Sequence, residues 1–181
     1  TATPQVREDI KKLLELQAPF EYFSTFDRSN LYFEVRKPQN KLKELTAYIK
    51  QHQDESGIIY CSTKKTVDAV CERLRGLGIL ATKYHAGLSE EERSRNQEDF
   101  LYDRIPIIVA TNAFGMGIDK SNVRYVVHYN MPKNMESYYQ EAGRAGRDGE
   151  PSECILLFST QDIMTSRFLI ESGTISSSRS N

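Results

Sequence analysis

The sequence contains no G-x-x-x-x-G-K-[ST] run anywhere in its 181 residues. That loop cradles a nucleotide β-phosphate and places the magnesium ligand, so the chain is not by itself a complete P-loop nucleotidase. It also lacks an acidic metal-binding motif at a strand end, a hydrolytic triad and a paired-carboxylate site, and no metal site is expected. Cysteine is scarce: Cys61, Cys71 and Cys154 are too few and too scattered for a disulfide frame or a metal knuckle. Cys61 and Cys154 sit in apolar runs that suit a small buried thiol. An excess of one charge is absent as well. With 24 Lys and Arg against 25 Asp and Glu, the net charge of −1 excludes a general polyanion binder, so any nucleic-acid contact must be local. No apolar run is long enough to span a bilayer, and nothing resembles a signal peptide. Together these point to an intracellular, reducing compartment (cytoplasm, nucleoid or nucleus) and away from membranes.

What is present suits one domain with a sizeable core, since 39% of the residues are hydrophobic and 27% charged. Thr3-Pro4 reads as an N-cap followed by proline at the first helical position, opening a helix through Val6, Ile10, Leu13, Leu14 and Leu16. No flexible lead-in precedes it, and the expectation is a piece of something longer. Residues 1–38 are expected to form this helix and an extended connecting segment, with a turn at Asp27–Asn30 and a strand at Leu31–Val35. Residues 39–171 form the main domain. Ser-rich residues 172–181 have little to bury and are expected to be mobile.

Strands are predicted at Gly57–Cys61, Leu80–Tyr84, Ile105–Ala110, Tyr125–Tyr129 and Cys154–Phe158. They alternate with helices at Lys41–His52, Thr66–Gly76, after a Ser89/Glu92 capping box, at Asn134–Ala142, and at Gln161–Glu171 behind a Thr160 cap. This alternation predicts an α/β fold with a mainly parallel central sheet flanked by helices. Ligands in such sheets sit at the carboxyl ends of strands, where the loops after Cys61, Tyr84 and Ala110 converge.

Three stretches carry chemistry. Tyr138 to Gly149 sets Arg144 and Arg147 three residues apart among small residues, and an arginine fork matches phosphate oxygens. In Thr111 to Lys120, Gly115 and Gly117 bracket Met116, as an anion-binding concavity needs, and Asp119 and Lys120 add an acceptor and a donor. Ser62-Thr63-Lys64 and His85-Ala86-Gly87 offer hydroxyls, amides and helix N-termini, the usual sequence-neutral phosphate contacts. Read singly, each is a cap or a solvated turn.

In this order and spacing the loops resemble the second motor lobe of the RecQ family of superfamily-two DNA helicases. Gly57–Thr63 is similar to helicase motif IV, Ile107–Asp119 to motif V, Tyr138–Gly149 to motif VI, and Thr1-Ala2-Thr3 to the end of motif III. The resemblance runs from Thr1 to about Phe168, and Gln140-Glu141 ahead of Gly143-Arg144 favours RecQ over DEAD-box RNA helicases. It implies a three-layer RecA-like domain, the helicase C-terminal lobe. It also implies ATP and Mg2+, held mainly by a first RecA-like lobe of the same protein, and single-stranded and tailed duplex DNA as partners, with 3′-to-5′ travel. By the same resemblance Arg147 is the arginine finger, Arg144 assists it, and Gln140 and Asp119 couple the nucleotide cleft to the DNA track. Gly115, Gly117 and Asp119 line the nucleotide side with the arginines. Ser62, Thr63, Lys64, His85, Gly87, Thr111 and Asn112 follow the phosphates of a single strand. The lobe alone is expected to be inactive. Ser121 departs from the proline the family often carries there, and no cysteine cluster follows Phe158. The competing readings are a non-catalytic nucleic-acid-binding or adaptor lobe, and the motor lobe of an RNA helicase or translocase.

Overall fold

A computed structural model describes residues 3–14, 27–112, 114, 118–159 and 162. Gly115, Gly117, the tail and, apart from Asp162, the expected last helix lie outside them. Helix α1 (Pro4–Leu14) opens where Thr3 Oγ1 accepts from Val6 N at 3.2 Å, with proline placed where a missing donor costs nothing. The strands are β1 (Leu31–Arg36), β2 (Ser56–Tyr60), β3 (Ala81–Tyr84), β4 (Ile107–Ala110), β5 (Val123–His128) and β6 (Ser152–Leu157). They form one sheet in the order β1-β6-β5-β2-β4-β3, every pair parallel. β1 belongs to the segment expected to be a connector, yet it is an edge strand of this sheet through β6.

Helices α2 (Lys41–Gln51) and α3 (Lys64–Gly76) cover one face, and α1, α4 (Glu90–Leu101) and α5 (Met135–Ala142) cover the other. Because side chains alternate along a strand, Ile58 and Tyr60 join Ile10, Phe100 and Tyr138, while Ile59 joins Leu45, Val67 and Leu74. This is the three-layer RecA-like arrangement. Element ends shift by a residue or two from expectation for local reasons. α3 starts at Lys64 because the Thr63 hydroxyl accepts from Thr66 N at 3.1 Å. Leu80, 66% exposed, drops out of β3. Ser159 and Asp162 exchange amide-to-side-chain bonds of 2.8 and 3.4 Å, while Thr160, the expected cap, lies outside the described residues.

The connection from β4 to β5 is anchored by Lys120. Its side chain is buried, stands over the Phe100 ring at 5.2 Å and donates to Asp103 Oδ1 at 2.6 Å. Lys120 therefore turns inward instead of offering a donor to a ligand. The bond to Lys120 holds the Asp103 carboxyl below its usual 3.8. Asp68 is lowered chiefly by its bond to His85, and Asp148 by its bond to Arg124. A depressed carboxyl stabilises the fold above its unfolded value and loses that contribution as pH falls through the folded one. The melting temperature is therefore expected to be flat above about pH 5 and to drop below about pH 4, with a shallower acid limb in Asp103→Asn. Equal acid slopes for the two proteins would remove Asp103 from this account.

Candidate functional site

Two groups of expected residues assemble on either side of a buried wall. The wall is Tyr60 at the end of β2, His128 at the end of β5 and Glu141 on α5. His128 is 1% exposed, stacks on Tyr60 with centroids 5.3 Å apart and bonds Glu141 Oε1 through Nε2 at 3.1 Å. Sequence reading passed over this pair, because a strand-end histidine and a helical glutamate look ordinary until the fold joins them.

On the first side lie the strand-end loops. Ser62, Asn112, Asn130, Lys133 and Ser137 line one cleft against the wall. Asn130, which had no local signal, accepts from Ser62 N at 2.9 Å and so ties the loop after β5 to the loop after β2. Thr63 is committed to capping α3, and Lys64, exposed, passes Gly87 so closely that a β-carbon there would lie 3.4 Å from its Cδ. His85 is 5% exposed. Its Nδ1 accepts from Gly87 N at 3.0 Å and its Nε2 faces Asp68 Oδ1 at 2.8 Å, which puts the proton on Nε2. One ring nitrogen is thus used by the Gly87 amide and the other by Asp68 on α3, so His85 shapes this loop and its ring has no donor left for a phosphate. Thr111 is buried, its amide donating to Tyr84 O at 3.2 Å, whereas Asn112 is exposed.

On the second side lie the arginines. α5 ends at Ala142 and the chain turns through Gly143–Gly149, with Gly146 N donating to Val123 O at 2.8 Å and Asp148 N to Ser121 O at 3.1 Å. The turn's backbone therefore sits at the amino end of β5. Arg144 lies beside the Tyr60 hydroxyl and offsets part of the upward push that burial gives that phenol. Arg147 keeps 40% of its side chain exposed, donates to Ile118 O at 3.2 Å and pairs with exposed Asp119 at 3.6 Å. Asp148 receives both its Arg124 bonds at 2.6 Å, which closes the turn. Gln140 is exposed one residue before the wall.

The arrangement offers a polar cleft lined by Tyr60 and a cationic pair whose Arg144 lies beside the same tyrosine, with no described residue placed to attack a substrate. Burial pushes the Cys61 and Cys154 thiols up to about 12, so neither is a nucleophile. Among the described residues no cluster of His, Cys, Asp or Glu can hold a metal, and no helix is long and apolar enough to cross a membrane.

Residues 40–149 match the family model of the helicase conserved C-terminal domain. The chain belongs to that family. This helicase lobe is 53% identical over 171 residues to the ATP-dependent DNA helicase RecQ of Bacillus subtilis, covering 94% of the lobe and 29% of that protein. It is 45% identical to the ATP-dependent helicase wrn-1 of Caenorhabditis elegans, covering 93% of the lobe and 16% of that protein. It is also 45% identical to the ATP-dependent DNA helicase hus2/rqh1 of Schizosaccharomyces pombe, covering 96% and 13%. The helicase lobe thus spans less than a third of the length of each of these relatives. The resemblance to RecQ read from three loops extends over nearly all of it.

Proposed function

We propose that this lobe is the second motor lobe of a RecQ-like ATP-dependent DNA helicase. The observation that carries the reading is Arg147: it is exposed, bonded through Ile118 O to the loop that also bears Asp119, and borne on the turn that follows α5. An arginine presented this way suits the terminal phosphate of a nucleotide held by a facing lobe. The lobe has the cationic half of such a site and no phosphate cradle, so ATP and Mg2+ would be held mainly by the first lobe. ATP supplies the free energy for lobe closure. Arg144 and Arg147 then orient and neutralise phosphate charge, while Gln140 and Asp119 link that cleft to the strand track. Ser62, Asn112 and Lys64 face the phosphates of single-stranded DNA, and phosphate contact gives little sequence preference.

The test is unwinding by the intact two-lobe protein of duplexes carrying a 3′ or a 5′ single-stranded tail, in DNA and in RNA. ATP-dependent separation of the 3′-tailed DNA is expected. Separation of the 5′-tailed duplex alone would overturn the polarity, and separation of RNA alone would overturn the substrate. The isolated lobe is expected to show no ATP turnover, and robust turnover by it would mean that a complete nucleotide site had been overlooked.

A further inference from the structure

The arginine turn is held from a distant part of the chain. The Arg28 guanidinium, half-buried in the turn before β1, donates to three backbone carbonyls: Gly143 O at 2.6 Å, Ala145 O at 3.0 Å and Gly146 O at 2.8 Å. Asn30 adds bonds from Nδ2 to Gly146 O at 2.7 Å and to Glu150 O at 3.0 Å. These carbonyls lie at and just beyond the carboxyl end of α5, where acceptors outnumber helical donors and the helix dipole favours a cation. They also bracket Arg144 and immediately precede Arg147. Gly146 has φ +56, and a β-carbon there would lie 2.6 Å from Asn30 Nδ2, 2.7 Å from Ser152 Oγ and 3.0 Å from Glu150 O. The clamp is closed tightly on one backbone shape.

Among the described residues Arg147 itself is steered by Ile118 O at 3.2 Å and an exposed Asp119 at 3.6 Å. Where its fork points is therefore set mostly by the backbone beneath it. We propose that Arg28, assisted by Asn30, is a positioning residue for ATP hydrolysis: it fixes the Gly143–Gly146 backbone so that Arg144 and Arg147 project into the nucleotide cleft. A planar fork with five donors can satisfy three converging carbonyls at once, which a lysine ammonium on its flexible stem cannot reproduce. The inference rests on the arginine-finger reading above and adds the residues that aim the finger.

The experiment uses the intact two-lobe protein with Arg28→Ala, Arg28→Lys, Asn30→Ala, Arg147→Ala and the Arg28→Ala/Arg147→Ala double variant. Steady-state ATP turnover with single-stranded DNA, nucleotide and DNA binding, and thermal melting are measured for each. A misplacement of about 1 Å is worth about 10²-fold in rate, so Arg28→Ala is expected to lower kcat by about that factor with KM for ATP and DNA affinity kept within about twofold. Arg28→Lys recovers part of the rate, and Asn30→Ala loses less than Arg28→Ala. Because Arg28 acts mainly through the finger, the double variant is expected to be slower than Arg147→Ala alone by only a few-fold, the share that displaced Arg144 accounts for, and far less than the product of the single losses. A double variant whose losses multiply, or an unchanged kcat in both Arg28 variants, would overturn the positioning role. If Arg28→Ala fails to fold, Arg28→Lys and Asn30→Ala are read by the same kcat-against-KM split. Full turnover by Arg147→Ala would instead remove the finger assignment itself, so the two failures are distinguishable.

Discussion

Replacing Arg147 by alanine in the intact protein is expected to lower single-strand-stimulated ATP turnover by about 10³–10⁵-fold while nucleotide binding is kept. The asymmetry follows from where the guanidinium stands. It lies at the lobe surface with 40% of its side chain exposed and its described ion pair is with exposed Asp119, so removing it leaves the fold intact. Its contribution is made when charge develops on the transferred phosphoryl group, which lowers kcat and leaves ground-state binding alone. Arg147→Lys is expected to recover little, because a point charge on a flexible stem does not replace a fixed two-donor fork. Arg144→Ala is a less clean probe, since Arg144 also lies beside buried Tyr60 and its loss disturbs that buried wall. Turnover measured alongside fluorescent-nucleotide binding separates the outcomes. Unchanged turnover in Arg147→Ala would make it a surface arginine and require the cleft to be redrawn.

The layered fold was legible because its strands are short apolar runs buried on both faces. Gly57-Ile58-Ile59-Tyr60 and Ile107-Ile108-Val109-Ala110 can form little else between polar, capped helices. The shared position of the loops after β2, β3 and β4 was legible because parallel strands end on the same edge of the sheet. Three things were not. β1 could be read as a strand but not as part of the main sheet, because its partner, β6, follows some 120 residues later and nothing local announces that pairing. His85 could be named but not oriented, since its role depends on Asp68 one helix away. The Arg28 clamp left no trace either: an arginine in a turn before a strand reads as solvated until tertiary structure supplies three carbonyls. Single side chains whose partners are distant in the chain are what periodicity and spacing cannot reach.

The largest stability effect is expected at Gly57, where β2 and β5 shift register between Ser56 and Gly57. The shift lays the Tyr125 ring across the glycine: a β-carbon at Gly57 would sit 2.0 Å from Cε2, 2.1 Å from Cζ and 2.6 Å from Cδ2. The ring cannot readily yield. It is fully buried, packed edge-on to Tyr48 at 5.2 Å, and Tyr48 is fixed in turn by its hydroxyl donating to Glu153 Oε1 at 2.6 Å. Gly57→Ala is therefore overpacking against a braced neighbour and is expected to cost about 3 kcal/mol or more, the upper end for such insertions. For a chain of this length that lowers the melting temperature by roughly 10 °C. Tyr125→Leu alone is expected to cost about 2 kcal/mol, because it gives up ring packing but also removes a buried hydroxyl without a partner. Leucine withdraws the ring atoms that meet the new β-carbon, so the double variant should be clearly more stable than the sum of the single losses predicts. Urea unfolding of the three variants measures this coupling. Simple additivity would mean that the strain of Gly57→Ala is relieved by backbone movement, and that the ring is not what reserves this position for glycine.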